Sequence, residues 1–426
     1  MKRKVSLSII VVAAIALFTG FAAAFTWVTN HKKLPQPNVP KPAVRVPFSD
    51  PVFGTNIMRL TNARAGKVPG IIPTYAKRQA WNADETRMML QTGDGLMMLF
   101  NGSTYRFVKV MEGVQGDDVF WHPKKPNMIY YVPYNNTLYS YNIASAAKTR
   151  IYTFKGFDWA DTSGEGNLSR DGRYYAVACR VYDYQKQETR YKNLAVLDIP
   201  ARKVISKLTL PTNLEDFDWV SISPTGKYVV VNYADTTAGR FHGVEVYTRN
   251  FNFLWQKPLG YGHSDLGIDD NGEEVLVMGG YDESANVTYI NSYRLRDGHT
   301  TRLLTTAWWF YNHISCRNLD SPGWCFVSTY DGEGRLTDSP ATWAPFEDEV
   351  FALRLDGSRR VRRIAHHHSR RFSPATPDSD NSVYWAEPHA TVSRYGTRVL
   401  FGSNWRQKIA DPKSCDTYVV NLRGKW

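Results

Sequence analysis

The sequence predicts an all-β chain, a seven-bladed β-propeller of four-stranded antiparallel blades. Three observations carry this expectation. A turn-plus-strand unit recurs seven times, no helical apolar period follows the first 33 residues, and 426 residues suit two or three ordinary domains or one large all-β ring. Apolar residues make up 43% and aromatic residues 14% of the chain, which excludes a disordered protein. Four cysteines exclude a disulfide scaffold.

The first element is a leader, residues 1–33. Met1-Lys2-Arg3-Lys4 is a basic start to an uncharged stretch from Val5 to Val28, and Ala22-Ala23-Ala24 offers a small-residue cleavage site. The stretch also has the length of a membrane span, so a cleaved signal peptide and an uncleaved signal anchor both fit. Either delivers the rest of the chain across a membrane, to a periplasmic, extracellular or outward-facing anchored location. Residues 34–47 carry Pro35, Pro37, Pro40, Pro42 and Pro47 and read as an extended spacer. The propeller is then expected over 48–426.

The seven repeats begin at Asn82, His122, Ser169, Ser223, Asp269, Asn318 and Ser393, at intervals of 40, 47, 54, 46, 49 and 75 residues. Each has a Pro/Asp/Gly-type turn followed by a β-branched and aromatic run, as in Ser223-Pro-Thr-Gly-Lys-Tyr-Val-Val-Val. The last unit runs short after Val420. Asn56 to Leu60 reads as a strand that closes it from the N-terminal side.

Residues just ahead of each innermost strand fall near the mouth of the central channel. There the repeats place Arg78, Asp117, Glu165, Asp216 with Asp218, His263 with Asp265, His313, and Glu387 with His389. Solvation of the funnel explains polar residues there in any propeller. Three imidazoles and a carboxylate in consecutive repeats also have the composition of a divalent-metal site.

Gly262-His263 followed by Asp269-Asp270-Asn271-Gly272 is similar to the Gly-His…Asp-Gly segment of oligogalacturonate lyases. The segment Glu387-Pro388-His389-Ala390-Thr391-Val392-Ser393-Arg394-Tyr395-Gly396 and its continuation to Phe401 resembles their His-Pro-His-Pro-x-x-Ser-Pro-Asp-Gly segment. The resemblance implies an exported seven-bladed propeller that cleaves acidic sugars by β-elimination at a metal site. It implies His263 as general base and His389 and His313 as metal ligands. Glu387 stands where the family has the first His of His-Pro-His, and Tyr384 where it has a Gln. A carboxylate in place of an imidazole hardens the site toward Mn²⁺ or Ca²⁺, with Zn²⁺ as the further alternative.

β-Elimination on a uronate needs its carboxylate neutralised, a base for the adjacent proton, and a groove for the chain. Arg240, shortly before His263, is the candidate neutraliser by position, an ordinary loop arginine being the other reading. Trp308-Trp309-Phe310-Tyr311 precedes His313 and suits sugar stacking or inter-blade packing equally. The 75-residue interval holds a basic run, Arg359 to Arg371 with His366-His367-His368, read as a solvated loop in which His368 and Arg370 meet substrate carboxylates. Cys316 and Cys325 flank one turn and suit a disulfide, or a metal site with His313; Cys179 and Cys415 read as buried thiols.

The chain has no Gly-x-Ser-x-Gly elbow, phosphate loop or zinc-finger spacing, and no appended hydrolase domain is expected after the seventh unit. Lys and Arg number 52 against 40 Asp and Glu, a net charge of +12, of which five charges lie in residues 1–33. The remainder points to an acidic oligosaccharide or polysaccharide partner near blades six and seven. Nucleic acid fits the charge alone, but an exported protein rarely meets it, so none is expected, and the chain is expected to be a monomer. Two functions fit: a polysaccharide lyase, or a non-catalytic envelope propeller that binds a glycan or a protein.

Overall fold

The structure, a computed structural model, describes residues 26–212, 214, 216–260, 262–307, 310–330, 343–370, 384–406 and 415–422. Two short strands, β1 (Pro47–Ser49) and β2 (Asn56–Arg59), precede the ring. Blade 1 is β3 (Ile71–Ile72), β4 (Arg87–Thr92), β5 (Met97–Asn101) and β6 (Phe107–Val110). Blade 2 is β7 (Asp118–Trp121), β8 (Met128–Val132), β9 (Thr137–Asn142) and β10 (Lys148–Thr153). Blade 3 has β11 (Trp159–Asp161), the long β12 (Tyr174–Asp183) and β13 (Glu188–Asp198), and β14 (Lys203–Thr209). Blade 4 has β15 (Trp219–Ile222), β16 (Tyr228–Asn232), β17 (Val244–Thr248) and β18 (Phe253–Lys257). Blade 5 contains β19 (Ser264–Ile268), β20 (Glu274–Asp282), β21 (Val287–Arg294) and β22 (Thr300–Thr306). Blade 6 contains β23 (Tyr311–Ser315), β24 (Trp324–Tyr330), β25 (Glu349–Arg354) and β26 (Val361–His366). Blade 7 is β27 (Thr391–Val392), β28 (Arg398–Ser403) and β29 (Asp416–Asn421), completed by β2 and β1. All seven sheets are antiparallel, and the propeller expectation holds.

Each repeated turn joins the first and second strands of a blade, and the reason is local. Ser169 closes its turn by accepting from Gly172 N at 2.8 Å through its carbonyl and from Tyr174 N at 2.9 Å through Oγ. Ser223 does the same with Gly226 and Tyr228, at 2.8 and 3.0 Å. Gly172 and Gly226 sit at φ 75° and 74°, where a side chain would be strained.

Blade-to-blade contact is apolar. Ala176, Leu194, Val220 and Val229 pack blade 3 on blade 4, Leu276, Val230 and Trp255 join 4 and 5, and Phe326, Ala352, Val399 and Phe401 join 6 and 7. Buried ion pairs add direction. Asp118 of blade 2 accepts from Arg78 at 2.7 Å, from Thr162 N at 2.7 Å and from Tyr175 of blade 3; Asp265 of blade 5 takes two guanidinium bonds from Arg317 beyond blade 6's inner strand, at 2.8 and 2.6 Å.

Closure follows the expected route. β2 pairs antiparallel with β29 in the register Asn56↔Asn421, Ile57↔Val420, Met58↔Val419 and Arg59↔Tyr418. Asp416 secures the joint through Lys41 at 2.7 Å and Arg59 at 2.8 Å.

The basic run is a correction. Arg359 to His366 is not a solvated loop at the mouth: most of it is β26, the outermost strand of blade 6. Arg363 is fully buried against Glu349, to which its Nε donates at 2.7 Å, and its Nη1 donates to Lys32 O at 2.6 Å. The stretch read as the leader's end and a spacer covers that edge. Val28 bridges to Arg363, His366 Nε2 donates to Leu34 O at 2.8 Å, His368 N donates to Gln36 Oε1 at 3.1 Å, and Trp405 Nε1 donates to Val39 O at 2.9 Å. The covering strand lies 331 residues from Arg363 in sequence, which no local pattern reports. An uncovered sheet edge exposes unpaired backbone groups, and the strap removes this one.

Cys316 and Cys325 are disulfide-bonded across the β23–β24 turn, so the alternative His313–Cys316–Cys325 metal site is not formed. Cys179 and Cys415 are buried thiols, as expected. No helix among the described residues is long and apolar enough to cross a membrane; residues 1–25 lie outside the described residues.

Glu349→Ala leaves the Arg363 guanidinium buried without its carboxylate. The expected cost is about 3–5 kcal/mol, read as a lowered midpoint in chemical denaturation; a midpoint within error of wild type contradicts the account.

Candidate functional site

Three neighbouring blades deliver the histidines. His263 immediately precedes β19, His313 lies in the middle of β23 opposite Ser328, and Glu387 and His389 sit in the turn that enters β27. Innermost strands converge on the axis, so these residues meet although up to 126 positions separate them in the chain. The His263 and His313 rings stack at 4.1 Å, and His313 and His389 lie 4.1 Å apart. Glu387 Oε2 is 3.4 Å from His313 Nε2 and 3.9 Å from His389 Nε2. His389 holds a left-handed backbone, φ 41°, which a non-glycine residue adopts only when its surroundings impose it.

The donor set fits a divalent cation. Ligand atoms of His313, Glu387 and His389 all lie within 4.8 Å of one another, and all three residues are buried. Metal–ligand bonds of ~2.0–2.2 Å place two donors on one ion up to about 4 Å apart. His389 Nδ1 is buried without a hydrogen-bond partner. Burial, reinforced by the charge of His263, pushes the His389 imidazole down to about 3, so it is neutral and able to bind a cation at ordinary pH.

A second group adjoins the first. Tyr75 lies against His263, His313 and His389 at ring distances of 6.4, 5.7 and 5.3 Å, and its hydroxyl donates to Glu165 Oε1 at 3.2 Å. Lys77, almost fully buried, pairs with Glu165 Oε2 at 2.5 Å and lies over the Trp219 ring at 4.2 Å. Burial would raise the Glu165 carboxyl, but Lys77, His263 and the Tyr75 hydrogen bond outweigh it and hold it low. Asp218 is pushed up to about 6 by burial first and then by Glu165. His263 Nδ1 donates to Asn312 O at 2.6 Å.

Two cavities open beside these groups. One of about 580 Å³ is lined by Tyr75, Arg78, Asp117, Tyr384 and Trp385; the other, of about 380 Å³, by Asp218, Tyr281, Tyr311 and Asn312. Glu165 and His263 belong to both walls.

The structure brings His263, His313, Glu387, His389 and Tyr384 together, the Tyr384 ring lying 4.6 Å from His389. It does not bring Arg240. That side chain is held beside blade 4 by Glu245 at 2.8 Å and the Tyr247 hydroxyl at 3.1 Å, over the Phe253 ring. His368 is also elsewhere, buried with its ring stacked on Trp405 at 4.2 Å, and the Arg370 backbone N donates to Asn404. Trp308 and Trp309 lie outside the described residues. Sequence reasoning missed Tyr75 and Lys77. The available signal was their position beside Arg78, seven and five residues ahead of the first repeat, bracketing the six that separate His263 from the fifth.

No protein-family model matches the chain, and no curated protein matches it in sequence. Solved structures do match in fold. An oligogalacturonate lyase in complex with manganese aligns with TM-score 0.62 at 13% identity, over 93% of this chain and 99% of that one. The fold is that of an oligogalacturonate-lyase-like propeller. A second oligogalacturonate lyase, from Vibrio parahaemolyticus, gives TM-score 0.63 at 13% identity over 89% of this chain and 96% of its own. The WD40 domain of Neurospora crassa Pan2 gives 0.50 at 11% identity, over 86% of this chain and 96% of its own. The lyase-like propeller carries a candidate His/Glu metal site, and one of these neighbours is a manganese complex.

Asp218 generates a pH prediction. Between its ordinary value of 3.8 and about 6, the folded carboxyl keeps a proton that the unfolded chain has lost. Its contribution to stability therefore falls as pH rises through that window. Asp218→Asn is expected to flatten the dependence of the melting temperature on pH there; an unchanged slope contradicts the assignment.

Proposed function

We propose that the protein is an exported polysaccharide lyase that cleaves a uronate-containing oligosaccharide by β-elimination, with His263 as the base. The observation that carries this reading is the stacking of His263, at 4.1 Å, on the His313 of a buried His313–Glu387–His389 donor set, beside a cavity that the base also lines. The manganese complex of the lyase neighbour supports Mn²⁺, and the carboxylate in the set keeps Ca²⁺ open. The disulfide is compatible with the oxidising compartment that the leader predicts.

An ion held by His313, Glu387 and His389 would neutralise the substrate carboxylate, so that the enolate left by proton removal is stabilised. The remaining work belongs to side chains. A carbonyl only accepts, so the bond to Asn312 O fixes the His263 proton on Nδ1 and leaves the lone pair on Nε2. That nitrogen takes the proton from the carbon bearing the carboxylate. The C–H electron pair becomes the new double bond and the glycosidic oxygen leaves, protonated from solvent. Glu165 faces the imidazolium so formed and stabilises it, while Lys77 and Tyr75 keep Glu165 ionised. Arg240 has no part in this reading.

The proposal is tested by ultraviolet absorbance of unsaturated uronides released from a panel of oligouronates with divalent metal present. His263→Ala is expected to reduce the rate by roughly 10²–10⁴-fold while metal content is unchanged. His389→Ala is expected to lose the metal, by elemental analysis, with the fold intact. No absorbance from wild type on any uronate rejects the lyase and favours a glycan-binding propeller.

A further inference from the structure

We propose that the smaller cavity beside His263 receives an uncharged sugar ring, so that the uronate attacked at this site has a neutral neighbour in its chain. The inference rests on the lyase reading for its orientation but not for the cavity's chemistry. At about 380 Å³ the cavity is within the usual range of ligand pockets, about 300–1,000 Å³. It is bounded by residues entering blades 4 and 5 and by β20, β21 and β23.

Its walls combine three features. Tyr281 and Tyr311, 40% and 38% exposed, place aromatic rings at the rim, where the C–H face of a pyranose packs. Besides the two tyrosines, the ionisable groups among its described lining residues are Glu165, Asp218 and His263, with no lysine or arginine among them. Lys77, which reaches the Glu165 of this wall, is committed to it. Two further lining residues, Thr288 and Asn312, are 2% and 8% exposed, and each has a buried side-chain oxygen without a hydrogen-bond partner. Such oxygens carry a desolvation cost unless a ligand donates to them.

A carboxylate-bearing ring would meet Asp218 and Glu165 with like charge and would find only His263 to pair with. A ring with hydroxyl groups alone donates to both carboxylates and to the Thr288 and Asn312 oxygens. The larger cavity differs, because Arg78 is part of its wall. Asp218, raised by burial and by Glu165, becomes fully anionic only above about 6, which makes discrimination against a uronate stronger at neutral than at acidic pH.

The test is calorimetric titration of the full-length protein at pH 7.5 with two sets of oligosaccharides of equal length. One set is oligogalacturonate and oligoglucuronate; the other alternates galacturonate with rhamnose or glucuronate with glucose. At least about tenfold tighter binding of an alternating chain is expected. Asp218→Lys is expected to shrink or reverse that ratio, an effect that mere structural damage would not produce, and Tyr311→Ala to weaken binding of the alternating chain roughly three- to tenfold. Equal or tighter binding of the homo-uronates by wild type, or no binding of either set, overturns the inference. Tight binding of the alternating chain without unsaturated product would sustain the inference and reject the lyase instead.

Discussion

The site depends on four residue pairs between β2 and β29. A ring of antiparallel blades has no stable geometry until its first and last sheets meet, and here the N-terminal strand lies inside the last blade. The pairing ties the start of the chain into the last blade and so closes the circle of seven sheets. Within the closed ring, blades 5, 6 and 7 bring His263, His313, Glu387 and His389 within contact. Asp416 gives the closure a polar lock: its two carboxylate oxygens are divided among Lys41, Arg59, Thr61 and the Ala63 amide. Such a buried carboxylate is costly unless every acceptor site is filled, so the register that fills them is strongly preferred.

The ring was legible because its causes are local. Turns such as Ser169 to Gly172 need a serine acceptor and a glycine at positive φ within four residues, and the strand that follows needs only apolar, β-branched side chains. The histidines were legible for a related reason, since a residue at a fixed offset before a repeated turn is carried to the axis in every blade. The basic run was misread because burial of Arg363 depends on Glu349 and on a strap that returns from the other end of the chain. Arg240 was misread because sequence proximity to His263 does not survive the fold: Glu245 and Tyr247 are its partners, on the third strand of blade 4. Lys77 was overlooked because a lysine ahead of a turn looks like surface until Glu165 and Trp219, from other blades, enclose it.

Net charge proved a poor guide to where a ligand meets the protein. The chain is basic at +12, yet carboxylates of Asp94, Asp117, Glu165 and Asp218 line the cavities at the axis. Arg360 and Arg363 are paired with Asp356 and Glu349 at the rim of blade 6. Summed charge acts over a Debye length of about 8 Å or more in solution, whereas selection at a pocket is decided by the few groups that lose water there.

Tyr75 links these levels. Its ring lies against three imidazoles, and its hydroxyl, together with Lys77, holds Glu165. A carboxylate so engaged is not available as a further ligand to the His313–Glu387–His389 set, which keeps two imidazoles and a single anionic donor. The same two bonds keep Glu165 ionised and next to His263. One aromatic ring therefore touches both the His313–Glu387–His389 donor set and His263, which meet through the stacked His263 and His313 rings. In the proposed reading, releasing Glu165 from Tyr75 and Lys77 would free a second carboxylate beside the donor set and remove the counter-charge of His263.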